Sequence, residues 1–299
     1  MSIRPVKRIV EAQPTLEGAG VKLRRGFGFG DTSEFDPFLL FDDFRNERPK
    51  DYQAGFPWHP HRGIETITYV LAGTMEHGDS LGNVGTLGAG DVQWMTAGSG
   101  ILHQEMPKGD PAGRMHGFQL WANLPSSLKM TRPRYQDVGS AAIPEIVDDD
   151  GTRVRVVCGT FWGKTGPVDG IASEPSYLDV FVPPGVRRTL PIDTYRHAFA
   201  YLFEGTASFR GASEPFGVLV ERPDDSIVRD EVGNRSLVVF DSGDEVTVQA
   251  GPSGVRFLLV SGRPLKEPVA WYGPIVMNTQ SELRQALREL QDGSFIKSD

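Results

Sequence analysis

A chain of 299 residues with 39% apolar and 23% charged side chains is long enough for two domains, each with its own buried core. A net charge of −8 argues against a surface that wraps nucleic acid directly, since phosphate binding needs a basic face, although docking onto a protein that itself holds DNA stays open. No apolar run approaches a membrane span, and the single cysteine, Cys158, has no partner for an internal disulfide, which points to a soluble protein of the reducing cytoplasm.

The first residues, "MSIRPVKRIVEAQ", are charged throughout and lack the apolar core of a signal peptide. "KLRR" at 22–25 is a small basic patch on what reads as a solvated edge. The aromatic stretch "GFGFGDTSEFDPFLLFDDF" at 26–44 suits core packing, or the wall of a pocket for a flat ligand. "FPWHPHRGIETITYVLAG" at 56–73 opens with two histidines, His59 and His61, and runs into a β-branched strand. "MEHGDS" reads as a polar loop that leaves His77 solvated. "AGDVQWMTAGSGILHQEMP" at 89–107 carries His103 and Glu105, and "GRMHGFQLWANL" carries His116, which suits a core histidine or one that orients a ligand. The polar stretch between Pro125 and Asp150 is the best candidate for a domain boundary.

Beyond it, "TRVRVVCGTFWG", "SYLDVFVPPG", "HAFAYLFEGTASF", "SLVVF" and "VRFLLVSG" are β-branched or aromatic runs bounded by Gly, Pro or Asp. His197 opens one of them. Gly 35 and Pro 22, spread along the chain, punctuate many short strands, so the reading is all-β. One helix is expected near the end. Thr279 and Glu282 form a T-x-x-E capping box, Leu283, Ala286, Leu287 and Leu290 follow at helical spacing, and Gly293 is placed to end it. That apolar stripe needs a β domain to pack on, and the later domain is expected to anchor it.

An internal repeat organises these strands. "YVLAGT" at 69–74 is answered by "YLFEGT" at 201–206, and "GDVQWMTAGSGILHQE" at 90–105 by "GDEVTVQAGPSGVRFLL" at 243–259, with a longer loop around "ERPDDSIVRDEVGNR" in the second copy. Two tandem copies of one β domain follow, with boundaries expected at 1–135, 136–275 and a helical tail at 276–299. The repeat also sets Pro191, Asp193, Phe257 and Leu259 where the first copy has His59, His61, His103 and Glu105. A scaffold that survives without these four points to a site in the first domain only.

Side chains at i and i+2 on a strand share a face, with Cα atoms about 6.5–7 Å apart. His59 and His61 can therefore converge with His103 and Glu105 from a second strand. Three imidazoles and a carboxylate suit Fe, Mn, Ni, Cu or Zn, and the absence of thiolate disfavours a closed structural zinc site. An octahedral ion would keep two positions free for chemistry. Glu65 is a rival acid, since an unbroken strand would turn it the same way as His59 and His61; its alternative is an ion pair with an arginine such as Arg62.

The stretches "FPWHPHRGIETITYVLAGTMEHGDSLGNVG" and "GAGDVQWMTAGSGILHQEMP" resemble the two metal-binding motifs of the pirin family, in the cupin superfamily. "DPFLLFDDF" at 36–44 and "GPIVMNTQSELRQAL" at 273–287 resemble it too, while the middle of the later domain matches little. The resemblance implies two tandem cupin, jelly-roll-like β-barrel domains with a C-terminal helix, the first binding one Fe(II), or another divalent transition metal, through His59, His61, His103 and Glu105. It prefers Glu105 to Glu65.

The resemblance also implies two functions. One is a quercetin 2,3-dioxygenase: a flavonol offers its 3-hydroxyl to the metal, Glu105 takes the proton, and dioxygen cleaves the ring with loss of carbon monoxide. The other is a metal-dependent, redox-sensing binding protein that regulates a transcription factor or a metabolic enzyme.

Overall fold

In the computed structural model, which describes residues 2–209 and 231–297, the chain forms two compact all-β units. They interlace in sequence. One comprises Ala12–Ile143, Pro167–Glu174 and Pro264–Asp299; the other comprises Met1–Glu11, Pro144–Gly166 and Pro175–Arg263. The expected linear division at 135 and 275 differs from this because hydrogen-bond ladders, which composition does not show, recruit both ends of the chain. Strand β1 (Val6–Glu11) pairs with Ser236–Phe240 of the later unit, whereas the C-terminal segment bonds back to Arg62 of the earlier one. No helix among the described residues is long and apolar enough to cross a membrane.

The earlier unit begins with the hairpin β2 (Gln13–Glu17) and β3 (Val21–Phe27), the one-turn helix α1 (Thr32–Phe35) and β4 (Phe38–Asp43). It continues with β5 (Phe56–His61), β6 (Ile64–Ala72), β7 (Thr74–Asp79), β8 (Val84–Leu87), β9 (Val92–Thr96), β10 (Ile101–Lys108), β11 (His116–Asn123) and β12 (Arg134–Val138). A seven-stranded sheet runs β12-β9-β6-β11-β4-β3-β2, and a four-stranded sheet runs β5-β10-β7-β8. Val21, Leu23 and Val70 from the first sheet meet Met75 and Leu87 from the second in one apolar cluster, so the two sheets close face to face as a jelly roll does. β6 is central, and its residues from Ile64 to Val70 are buried on both faces, which is why it reads as a continuous β-branched and aromatic run.

In the later unit one sheet is ordered β1, Ser236–Phe240, His197–Phe209, Glu245–Gly262, Ser176–Val182, Arg153–Cys158 and Glu145–Val147, with Arg187–Pro191 also on the long strand. The repeat is visible in the backbone. Gly73 and Gly205, the glycines of "AGT" and "EGT", both take positive φ, 79° and 70°. The second blocks diverge: residues 90–105 form β9 and β10, in different sheets, whereas 245–262 is a single strand. Of the longer loop expected at 221–235, residues 221–230 lie outside the described residues.

The last helix, α2 (Gln280–Asp292), forms as its residues dictate. Thr279 accepts from Glu282 N, the Glu282 side chain accepts from Thr279 N, and Gly293 ends it at φ 81°. Leu283 and Ala286 pack with Ala270, Ile275, Met277 and Phe295. This anchor belongs to the earlier unit, not to the later one as the apolar stripe alone suggested. An amphipathic stripe specifies that a partner exists without naming it.

Candidate metal centre

β5 is an edge strand, which is why it tolerates Pro57 and Pro60 on either side of Trp58 and His59. Its antiparallel partner β10 sets His59 opposite His103 and His61 opposite Ile101. Along β10 burial alternates, with Ile101, His103 and Glu105 inside. The i, i+2 spacing of both pairs therefore aims both at the interior of the unit. A register irregularity between His103 and Glu105 places Glu105 opposite Phe56.

The three histidines converge: one ring nitrogen from each of His59, His61 and His103 lies within 4.8 Å of the others. His59 Nε2 is 3.0 Å from His61 Nε2, and the ring centroids are 4.4 to 4.9 Å apart. His59 Nδ1 donates to Pro57 O at 2.9 Å, which leaves Nε2 facing His61. Burial, reinforced by the neighbouring histidines, drives His61 and His103 well below the usual imidazole range, so both are neutral at pH 7. His103 is fully buried, and neither of its ring nitrogens has a hydrogen-bond partner. Leaving such a group unsatisfied costs about 1–3 kcal/mol. Three imidazoles converging on one point, with His61 and His103 held neutral, fit a divalent transition ion, which would satisfy them together.

Glu105 lies outside that tight set but lines the same cavity as His59 and His61. Burial raises its pKa, opposed by the charge of His59 and by a 3.0 Å bond from Thr68 Oγ1. Glu65 is placed differently. β5 ends at His61, Gly63 turns the chain at φ 76°, and β6 carries Glu65 into the seven-stranded sheet. There its Oε1 accepts from Thr96 Oγ1 at 2.7 Å, and burial pushes it up to about 7. The strand is broken, so the i+4 spacing that made Glu65 a rival does not hold. Nor does Glu65 pair with Arg62, whose partner is Glu289.

A cavity of about 520 Å³ adjoins the histidines. Phe29, Leu40, Phe44, Phe56, Trp121 and Trp271 give it apolar walls, and Arg25, Asp42 and Gln119 give it polar ones. From the aromatic stretch, Phe27, Phe35 and Phe41 go to the core, while Phe29 stands 75% exposed, 5.2 Å from Trp271. The basic patch contributes Arg25, which grips Asp42 through two 2.8 Å bonds; burial still raises Asp42 to about 6. Trp121 stands edge-on to His61 at 5.1 Å.

His77 is not solvated. It lies on β7 opposite Glu105, 4% exposed, stacked at 5.9 Å on Tyr135, with Asp137 3.6 Å from its Nε2. Its polar neighbours hid an inward Met75, His77, Asp79 alternation. His116 is half-buried and faces Glu47 at 3.4 Å. Trp271 escaped the sequence reading, and its one available signal was adjacency to the "GPIVMNTQ" segment. Asp193 and Pro191, the later unit's counterparts, are exposed, whereas Phe257 and Leu259 sit in its core. Among the described residues the three histidines are the one group clustered closely enough to hold an ion.

The family model described as Pirin matches residues 20–122, and the one described as Pirin C-terminal cupin domain matches residues 177–296. A pirin-like protein of Caulobacter vibrioides is 44% identical over 296 residues, spanning 99% of this chain and 100% of that protein. The pirin of Homo sapiens is 39% identical over 295 residues, with 97% and 93% covered. The crystal structure of a quercetin 2,3-dioxygenase from Acinetobacter baumannii matches with a TM-score of 0.85 at 30% identity, over 98% of this chain and 99% of that one.

Proposed function

This chain belongs to the pirin family, and we propose that its earlier unit holds one Fe(II) ion and cleaves flavonols with dioxygen, as a quercetin 2,3-dioxygenase. The observation that carries this reading is the convergent histidine triad, in which the buried His61 and His103 keep unsatisfied ring nitrogens, opening on a largely apolar cavity large enough for a small aromatic molecule. Sites that bury ligands of that size measure roughly 300–1,000 Å³. His59, His61 and His103 would hold the ion, with Glu105 as fourth ligand; other divalent transition metals suit the same donors.

When bound, the ion would supply Lewis acidity toward a flavonol 3-hydroxyl and a redox centre for dioxygen chemistry. The chain's own groups do the rest. Glu105, whose basicity is raised by burial, would take the proton of that hydroxyl, while Thr68 steadies the carboxylate. Phe29 and Trp271 offer faces for a flat ring, and Arg25, Asp42 and Gln119 offer it polar partners. The apolar walls exclude bulk water, which protects the reactive substrate anion. In the balanced reaction one flavonol and one dioxygen give the ring-opened ester acid and one carbon monoxide.

One observation favours the second reading, a metal-dependent protein-binding surface. Trp58, the residue before His59, is 55% exposed on the edge strand, where a partner would meet it. Oxygen uptake and carbon monoxide release with quercetin, measured on iron-loaded protein, separate the two. Oxygen uptake matched by an equal release of carbon monoxide supports the enzyme; fully loaded protein that does neither turns the assignment to partner binding.

A further inference from the structure

The C-terminal segment is bonded to Arg62, just past β5, and packs against Gly100, just before β10. Arg62, the residue after His61, is 2% exposed, and its guanidinium donates to Glu289 Oε2 and to Phe295 O, each at 2.7 Å. The Phe295 ring lies 4.1 Å from the guanidinium carbon. On the main chain, Val276 N donates to Arg62 O at 3.0 Å.

Two glycines admit this segment. At Gly63 a Cβ would fall 1.9 Å from Val276 O. At Gly100, which leads into β10, it would fall 3.0 Å from both the ring and the carbonyl oxygen of Phe295. Since His61 pairs with Ile101, Arg62 and Gly100 are the adjoining ends of β5 and β10. Phe295 touches both.

We propose that this segment is a positioning element of the metal centre, in which Glu289 and Phe295, acting through Arg62, hold His61 in place beside His103. The proposal rests on the metal reading given above. Docking of α2 does not require these bonds, because Leu283 and Ala286 already seat the helix on apolar side chains. A buried ion pair adds little net stability over apolar packing, but a planar guanidinium with two fixed acceptors constrains direction. That constraint falls on the residue next to a ligand. Groups that orient metal ligands through such contacts typically change metal affinity by about 10–100-fold when lost.

The test is the dissociation constant for cobalt(II), measured on the full-length metal-free protein by competition with a chelator, together with the visible cobalt spectrum. Glu289→Gln keeps an acceptor and the side-chain volume, so it folds even if Arg62→Gln does not. Thr279→Ala removes the cap of the same helix without touching Arg62 and controls for general loosening of the tail. Glu289→Gln is expected to weaken cobalt binding about 10-fold or more, with an altered spectrum, while Thr279→Ala leaves both within about twofold of wild type. Wild-type affinity in Glu289→Gln overturns the proposal, and so does equal weakening in Thr279→Ala. Wild-type protein that takes up no cobalt brings down the metal reading itself, and this inference with it.

Discussion

His59 and His103 face each other across the β5–β10 ladder, their ring centroids 4.4 Å apart. Strand pairing, not a loop, creates that approach, so the histidines are brought together before any ion arrives. The fold therefore bears the cost of crowding three imidazoles around one point, and a bound cation would recover it.

Loading and stability should accordingly move together. Reconstituted protein is expected to hold one transition ion per chain and to gain about 2.7 kcal/mol of stability at a free-metal concentration one hundred times the dissociation constant. His59→Ala combined with His103→Ala should abolish both effects in metal analysis and thermal denaturation. Stabilisation by metal that persists in the double variant would place the ion elsewhere.

The two acids should separate. Glu105→Gln is expected to weaken metal binding and remove quercetin-dependent oxygen uptake, while Glu65→Gln leaves metal content nearly intact. The reverse ranking would restore Glu65 as the ligand.

Glu65 also carries a pH signature. Its pKa is raised from 4.5 to about 7 in the folded protein, so folding favours its protonated form. That contribution is complete below pH 4.5 and is lost as pH rises through 7. Denaturant titrations of the metal-free protein should show Glu65→Gln gaining on wild type as pH goes from 4.5 to 8. A difference independent of pH would mean that this carboxyl titrates normally.

The four ligand candidates, the tail helix and its capping box were legible because each depends on residues close in sequence: i, i+2 on a strand, or Thr279 and Glu282 on one turn. Broken strands were harder. The sequence of "HPHRGIE" does not reveal that Gly63 sends Glu65 to another sheet, and "MEHGDS" conceals an inward alternation beneath polar side chains. Arg62 and Glu289 are 227 residues apart, so no local pattern connects them. The same distance hides the placement of α2 on the earlier unit.

The later unit gives a contrasting prediction. Phe257 stands at the His103 position and is fully buried in an apolar cluster. Phe257→Ala should cost about 3–5 kcal/mol of stability, read by denaturation, with metal stoichiometry per folded chain unchanged. Loss of metal at unchanged stability would mean that this unit contributes to the site.

Substrate binding should depend on the cavity wall. Trp271→Ala removes the ring that packs beside Phe29 and is expected to raise KM for quercetin several-fold while metal content stays at one per chain. An unchanged KM would exclude this wall from substrate contact.

The most direct measurement is an anomalous difference map at the iron absorption edge, from crystals of the protein reconstituted with Fe(II) without oxygen. This account predicts one peak per chain, bounded by His59, His61, His103 and Glu105. A peak in the later unit, a second peak in the earlier one, or an ion bound by Glu65 in place of Glu105 would contradict it.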